Sequence, residues 1–426
     1  MHPTERSSTV DVAVVGGGQA GLTTSYYLQA FGIEHVVFER DRIGESWRSA
    51  RWDSFTLVTP NWMTRVPTHR LSPRSAADFI SREAIVAVLE QLASGLPVRT
   101  GVDVISVVAG SNHFRIRLAN EEIVARVVVV AGGGQRRPII PDLAGRFPPS
   151  VNQLDASRYR NPAAIPDGAV LVVGSGQSGA QITEELVAAG RDVLLVTSKV
   201  ARVPRRYRGR DVHEWSVELG LYDQPTSQVT DKRQLTEAHP MLSGSRGGHT
   251  IALQQLARSG VRLLGRLVDV DGSTLQFKPD LVDNMQYADA RATEFRDTVD
   301  RYILQAGIDA APRDIDPAEE PWASAHDAPV TLDTRGERIG TVIWTTGFGP
   351  DLEWLQIPVG SASGIAHTKG VTAFPGLYVV GYPWLSTRGS GILYGVDADA
   401  CRIAQHIAAA LGHPTPVTDR DEGGIR

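Results

Sequence analysis

Short apolar runs that end in glycine recur along the chain and set its rhythm. The first, Val10-Asp11-Val12-Ala13-Val14-Val15, reads as a buried strand and runs directly into Gly16-Gly17-Gly18. Leu22, Tyr26, Leu28 and Ala30 then predict a helix ended by Gly32, and His35-Val36-Val37-Phe38-Glu39 is a second strand. Residues 102–108 and 113–118 form a short β-rich stretch. Val127-Val128-Val129-Val130 is apolar throughout, as in a parallel strand covered on both faces, and closes on Ala131-Gly132-Gly133-Gly134. Pro138, Pro141, Pro148 and Pro149 break the pattern and mark an inter-domain linker.

The opening pattern then returns. Ala169-Val170-Leu171-Val172-Val173 leads into Gly174-Ser175-Gly176, a helix follows Gly179, and residues 192–197 form the next strand. Leu281, Met285, Ala288, Ala292, Phe295, Val299 and Ile303 alternate steps of four and three, which predicts an amphipathic helix covering the domain interface. Residues 309–329 are rich in Pro, Ala and acids and read as a surface loop. Further strands at 342–344 and 377–381 and a last amphipathic helix over about 395–411 complete the chain. Strands alternating with helices predict an α/β fold. The expected architecture is two Rossmann-like dinucleotide-binding domains, the second inserted within the first. Residues 1–145 and 340–426 would form one domain, and 160–335 the other, with a helical insertion.

The two glycine turns carry the chemistry. Gly16, Gly18 and Gly21, with Gln19 and Ala20 between, match G-x-G-x-x-G after a strand and before a helix; Gly174, Gly176, Gln177, Ser178 and Gly179 repeat it. In such a turn the first glycine makes the bend and the second lets backbone approach a pyrophosphate. The third lets helix and strand pack closely, and the helix N-terminus faces the phosphates. Glu39 ends the second strand about 20 residues on, where a carboxylate accepts from ribose hydroxyls. Two such sites imply two dinucleotides, a flavin and a nicotinamide, and hence a redox enzyme. After the strand at 192–197 no acid follows; Ser198, Lys199 and Arg202 suit a 2′-phosphate and favour NADPH over NADH. Arg202, Arg205, Arg206, Arg208 and Arg210 extend that run, either as phosphate contacts or as a solvated basic loop.

Composition narrows the picture further. With 43 Lys and Arg against 48 Asp and Glu, no global charge points to nucleic acid. The single cysteine, Cys401, excludes an intrachain dithiol relay and suits a reducing, cytoplasmic setting. No apolar run reaches membrane-spanning length, and no His/Cys cluster suggests a metal. The expected partners are a small-molecule substrate and O2, with no nucleic acid and no membrane; oligomeric state is not readable.

Taken with Gly44-Glu45-Ser46-Trp47-Arg48, Val130-Ala131-Gly132-Gly133, Trp344-Thr345-Thr346-Gly347-Phe348 and Pro375-Gly376-Leu377-Tyr378-Val379-Val380-Gly381, the glycine turns give a recognisable order. In it the chain resembles the flavin-containing monooxygenases over nearly its whole length. The resemblance implies FAD along the first turn, with Glu39 on the ribose and Arg40 near the adenine. It further places Ser46, Trp47, Arg48, Ala131, Gly132, Thr346, Gly347 and Gly381 at the cofactors, and the last helix's N-terminus at the flavin ring. It implies oxygen insertion at N, S or electron-rich C through a flavin C4a-(hydro)peroxide, with NADPH as reductant.

Two departures stand out. Placed by Tyr159, the family's linker signature has Pro149, Val151 and Asp155 where Phe, Gly and His belong. Asp155 then either caps a turn or pairs with Arg158 or Arg160, or it alters domain coupling. The flavin-facing Asn of the family aligns with Val58, with Asn61 close enough to be its equivalent and the candidate catalytic residue. His213 and His249 could border the nicotinamide cleft or serve structure alone. Substrate-pocket residues are expected from 62–70, 207–222 and 384–394. An NAD(P)H-dependent flavin reductase or oxidase without oxygen insertion stays open as the alternative, and a non-catalytic flavin sensor as a third.

Overall fold

The computed structural model describes residues 7–67, 77–313, 315–322, 327–361 and 364–414. Each glycine turn belongs to its own parallel sheet. In the first, strands Val98–Thr100, His35–Glu39, Ser7–Val15, Glu122–Val130 and Leu377–Val379 lie side by side in that order. Antiparallel strands Val371–Thr372 and His367–Thr368 extend one edge, and the hairpin Ser106–Ala109 with Phe114–Arg117 pairs onto Glu122–Val130. Helices Gln19–Ala30 and Val396–Leu411 cover one face, where Leu28, Ile403 and Ile407 meet Val14 and Val129. The hairpin closes the other face over Phe38, Val128 and Val379.

The second sheet repeats that order with Arg262–Leu264, Val193–Val196, Ala169–Val173, Ile339–Trp344 and Asn152–Asp155, all parallel. All five residues of Ala169–Val173 are buried. At roughly 1.5–3 kcal/mol for each buried Val or Leu, such central strands carry much of the domain's stability. Helix Gln177–Ala188 and the start of the long helix Leu281–Ala306 pack on one face through Ile182, Leu186, Met285 and Ala288. Antiparallel strands Leu267–Asp271, Thr274–Phe277 and Thr331–Asp333 back the other. Among the described residues no helix is long and apolar enough to cross a membrane.

Three expectations change. Strand Ile339–Trp344 was assigned by sequence to the returning part of the first domain, but it hydrogen-bonds between Ala169–Val173 and Asn152–Asp155 in the second sheet. Its apolar pattern is that of any buried parallel strand, so the pattern alone does not say which sheet takes it. Residues 152–155, read as part of the linker stretch, are the second sheet's edge strand for the same reason. The long helix does not cover the domain interface. Its apolar stripe lies on the second sheet and, further along, on a small cluster with Tyr207 and Trp215. Only Arg291 and Glu294 on it reach the space between the domains.

Candidate active site

Both glycine turns open on one cleft of about 2120 Å³. In the first turn Gly16 has φ +115°, and a Cβ there would lie 2.5 Å from the Ala131 carbonyl oxygen. A Cβ on Gly21 would lie 1.9 Å from the Gly16 carbonyl oxygen. Gly18 differs: a Cβ on it would meet nothing within 4 Å. The second turn copies all three conditions, with Gly174 at φ +111° beside Thr345, Gly179 1.9 Å from the Gly174 oxygen, and Gly176 facing open space. The protein's own packing thus requires the outer glycines, whereas the middle ones leave room for a ligand's pyrophosphate. Gly18 and Gly176 are the N-caps of two twelve-residue helices, neither with a side-chain cap nor an acidic first turn. Their free N–H groups suit an anion, so the residues present fit two dinucleotides.

The turns differ at the neighbouring strand end. Glu39 accepts from the Gly17 N–H at 2.7 Å and from the Asp41 N–H at 2.9 Å, which fixes its carboxylate on the cleft wall. The second unit has Ser175 in place of Gly17. The Ser198 N–H donates to Ser175 Oγ at 3.1 Å, and the carboxylate has no counterpart.

Gln19, Ala20, Arg40, Ser46, Trp47, Ala131, Gly132, Gln177, Ser178, Ser198, Thr346, Gly347 and Gly381 all line the cleft. Four expected contacts do not. Arg48 turns away to Glu90 and the Ile43 carbonyl; Arg51 takes the wall instead, its guanidinium 5.3 Å from the Trp47 ring centroid. Burial lowers the Arg51 pKa to about 10, still high enough to keep it charged at neutral pH. Lys199 is exposed off the cleft. Arg202 is buried, donating to Asp289 at 2.9 Å and Glu319 at 2.5 Å, so its charge is spent inside the domain. Asn61 is buried in the short turn Asn61–Met63, while Leu57, Val58 and Thr59 form the wall, so a catalytic role for Asn61 at the cleft is withdrawn.

The rest of the basic run is structural as well. Arg205 pairs with Asp211, Arg208 with Asp300 and Arg210 with Glu218, while Arg206 donates to the carbonyls of Gly247 and Gly248. Asp155 caps its own turn, its carboxylate accepting from the Ser157 N–H and hydroxyl and its carbonyl from the Arg158 N–H, with no ion pair to Arg158 or Arg160. His249 bonds Glu184 at 2.6 Å. Of the expected pocket segments, 384–394 supplies Trp384, Arg388 and residues 390–393, and 207–222 supplies none. Residues 62–67 supply none either, and 68–70 lie outside the described residues. Residues 234–240, which sequence reasoning passed over for want of any motif, form another wall.

One arrangement had no sequence signal. The Val58 carbonyl, on the first domain's wall, accepts from Arg205 Nη1 at 2.6 Å and from His213 Nε2 at 3.3 Å, both from the second domain. Tyr222 donates to His213 Nδ1 at 2.5 Å. Burial, with the Arg205 charge second, pushes the His213 pKa down to about 3, so the imidazole stays neutral in that tautomer. Close by, the first-domain loop also bonds the second domain: the Thr226 N–H to the Ser386 carbonyl, and the Arg388 N–H to the Gln224 carbonyl. His239 on the cleft is likewise lowered, by burial and then by the Arg388 charge.

Comparison with known proteins agrees with this geometry. Residues 13–213 match the pyridine nucleotide-disulphide oxidoreductase family. A CzcO-like oxidoreductase of Geobacillus kaustophilus is 30% identical over 397 residues, covering 92% of this chain and 96% of that one. The chain belongs to the CzcO-like oxidoreductases. It is therefore a flavin-dependent oxidoreductase, and the family match over residues 13–213 implies binding of FAD and a nicotinamide dinucleotide. The rice indole-3-pyruvate monooxygenase YUCCA1 is 25% identical over 412 residues, covering 92% of this chain and 90% of its own. In fold, a flavin-containing monooxygenase from Stenotrophomonas maltophilia superposes with a TM-score of 0.62 at 20% identity, covering 95% of this chain and 99% of that one. The fold is thus that of the class B flavin monooxygenases.

Proposed function

We propose that this CzcO-like protein is an FAD- and NADPH-dependent monooxygenase that transfers one oxygen atom from O2 to a nitrogen, sulfur or electron-rich carbon of a small organic molecule. The observation that carries the reading is the opening of both glycine cradles on a single cleft, where hydride donor and acceptor can meet. When bound, the nicotinamide supplies hydride and the flavin couples that reduction to dioxygen. The chain's own residues hold, orient and shield. The first turn's N–H groups and Glu39 fix one dinucleotide by its phosphates and ribose, and the second turn fixes the other.

Phe55, Leu57, Val58, Ile392 and Leu393 give the wall between them an apolar surface, which limits water at the reacting atoms. The Arg205 and His213 contacts hold that wall in place from the other domain. Cys401, the one cysteine, is buried in the last helix, so the chain has no dithiol pair to carry electrons to a disulfide substrate.

The test is anaerobic reduction with NADPH followed by admission of oxygen, with peroxide measured against NADPH consumed. Isotopically labelled dioxygen is then used with a panel of amines, sulfides and electron-rich aromatics. Bleaching by NADPH, peroxide well below one equivalent, and label in a product support the reading. One peroxide per NADPH, with no label in any product, would leave a reductase or oxidase.

A further inference from the structure

We propose that Arg266 is the residue that reads the 2′-phosphate of the nicotinamide dinucleotide, with Ser198 beside it. This rests on the NADPH reading above. The basic run that follows the second unit's second strand is consumed by Asp289, Glu319, Asp211, Asp300, Glu218 and two glycine carbonyls, and Lys199 stands off the cleft. A different strand supplies the cation.

Val193–Val196 pairs in parallel with Arg262–Leu264, Val196 opposite Leu264, and the Thr197 N–H donates to the Leu264 carbonyl at 2.9 Å. Ser198 and Arg266 therefore leave the same end of two adjacent strands, which lie about 4.8 Å apart. Both line the cleft. The Arg266 side chain is exposed there and joins no ion pair among the described residues. Its backbone is fixed: its N–H donates to Asp280 Oδ1 at 2.9 Å, and its carbonyl accepts from the Lys278 N–H at 2.8 Å. Two other charged groups nearby have partners of their own. Asp280 also bonds Asn284, and Arg291 pairs with Glu294.

The first unit shows the opposite arrangement at the same places. Phe38 pairs with Arg99 as Val196 pairs with Leu264, so Glu39 corresponds to Thr197 and Gly101 to Arg266. Thr197 turns inward, donating to the Leu264 carbonyl at 2.8 Å and accepting from Asn284 at 3.0 Å. At these strand ends the first unit thus presents the fixed Glu39 carboxylate, followed by Arg40, whereas the second presents Arg266 and no carboxylate. A carboxylate suits ribose hydroxyls and repels a phosphate dianion, whereas a guanidinium binds that dianion through paired N–H donors.

The experiment is equilibrium titration of the FAD-loaded protein with adenosine 2′,5′-bisphosphate and with adenosine 5′-monophosphate, neither of which turns over. The native protein should prefer the bisphosphate. Arg266→Ala should weaken the bisphosphate roughly 10- to 100-fold and the monophosphate by less than about twofold, with Arg266→Lys in between. Lys199→Ala should leave both constants unchanged. If Arg266→Ala keeps the native preference, the assignment is wrong while the NADPH reading stands. If the native protein binds the two probes equally, the NADPH reading falls and takes the assignment with it.

Discussion

The two nucleotide units share strand order, glycine geometry and helix length, yet finish their second strands differently. Gly16, Gly18 and Gly21 are repeated position for position by Gly174, Gly176 and Gly179, down to the 1.9 Å approach at the third glycine. Backbone sterics dictate those positions, and both units obey them. At the strand ends the requirement is set by a ligand, and there Glu39 in one unit corresponds to the inward-turned Thr197 in the other. The difference separates what a fold demands of its sequence from what a cofactor demands.

The sharpest way to test that separation is to fill the middle glycines. Gly18 (φ −84°, ψ −172°) and Gly176 (φ −64°, ψ −179°) have backbone angles open to any residue, so Gly18→Val and Gly176→Val should fold. Gly18→Val should purify colourless. Gly176→Val should stay yellow but bind NADPH at least about 100-fold more weakly, read by flavin absorbance and anaerobic titration. Gly21→Val, with its Cβ 1.9 Å from a carbonyl oxygen, should fail to fold, and a folded product would undermine the packing argument.

Next in size is Arg202→Ala, which leaves Asp289 without its cation, while Glu319 keeps Arg296. It should cost about 2–3 kcal/mol in denaturant unfolding, discounted because Asp289 is 44% exposed, with the NADPH-to-NADH preference unchanged. A changed preference would return Arg202 to the cofactor. Smaller again, Glu39→Ala strands two N–H groups and should cost about 1–3 kcal/mol and loosen FAD, while Ser175→Ala should cost about 1 kcal/mol or less. Equal losses would mean the two strand ends are not functionally distinct.

The effect that is smallest at neutral pH, and grows only in acid, belongs to His213. The folded pKa of His213, about 3, lies below the ordinary 6.5, so the unfolded chain binds a proton that the folded one refuses. Stability from this group is complete above pH 6.5 and falls as pH drops toward 3, by up to about 1.4 kcal/mol per unit. His213→Gln should flatten that part of a pH–stability curve, and an unaltered slope would show the acid sensitivity to lie with other buried groups such as His35.

Much of this was legible because backbone rules leave regular traces. Strands His35–Glu39 and Ala169–Val173 match their sequence-predicted limits, and the long helix begins at Leu281 as its spacing requires. Sheet membership was not legible for Ile339–Trp344, since a doubly buried strand reads the same in either sheet. The basic run misled because charge along a sequence says nothing of what partner each side chain meets. Asp289, which takes Arg202, lies 87 positions away. Arg51 and Arg266 left no motif, as each depends on which neighbouring strand or ring it happens to face.

The hold on the Val58 carbonyl bears on how such an enzyme can be divided or recombined. The two units resemble interchangeable modules, but the chamber between them is finished only when Arg205 and His213 of one, the latter held by Tyr222, reach a main-chain oxygen of the other. A chimera that took its second unit from a relative would have to bring those three side chains along with the glycines. A grafted unit without them would still find its nucleotide, but the redox chamber would have a loose wall.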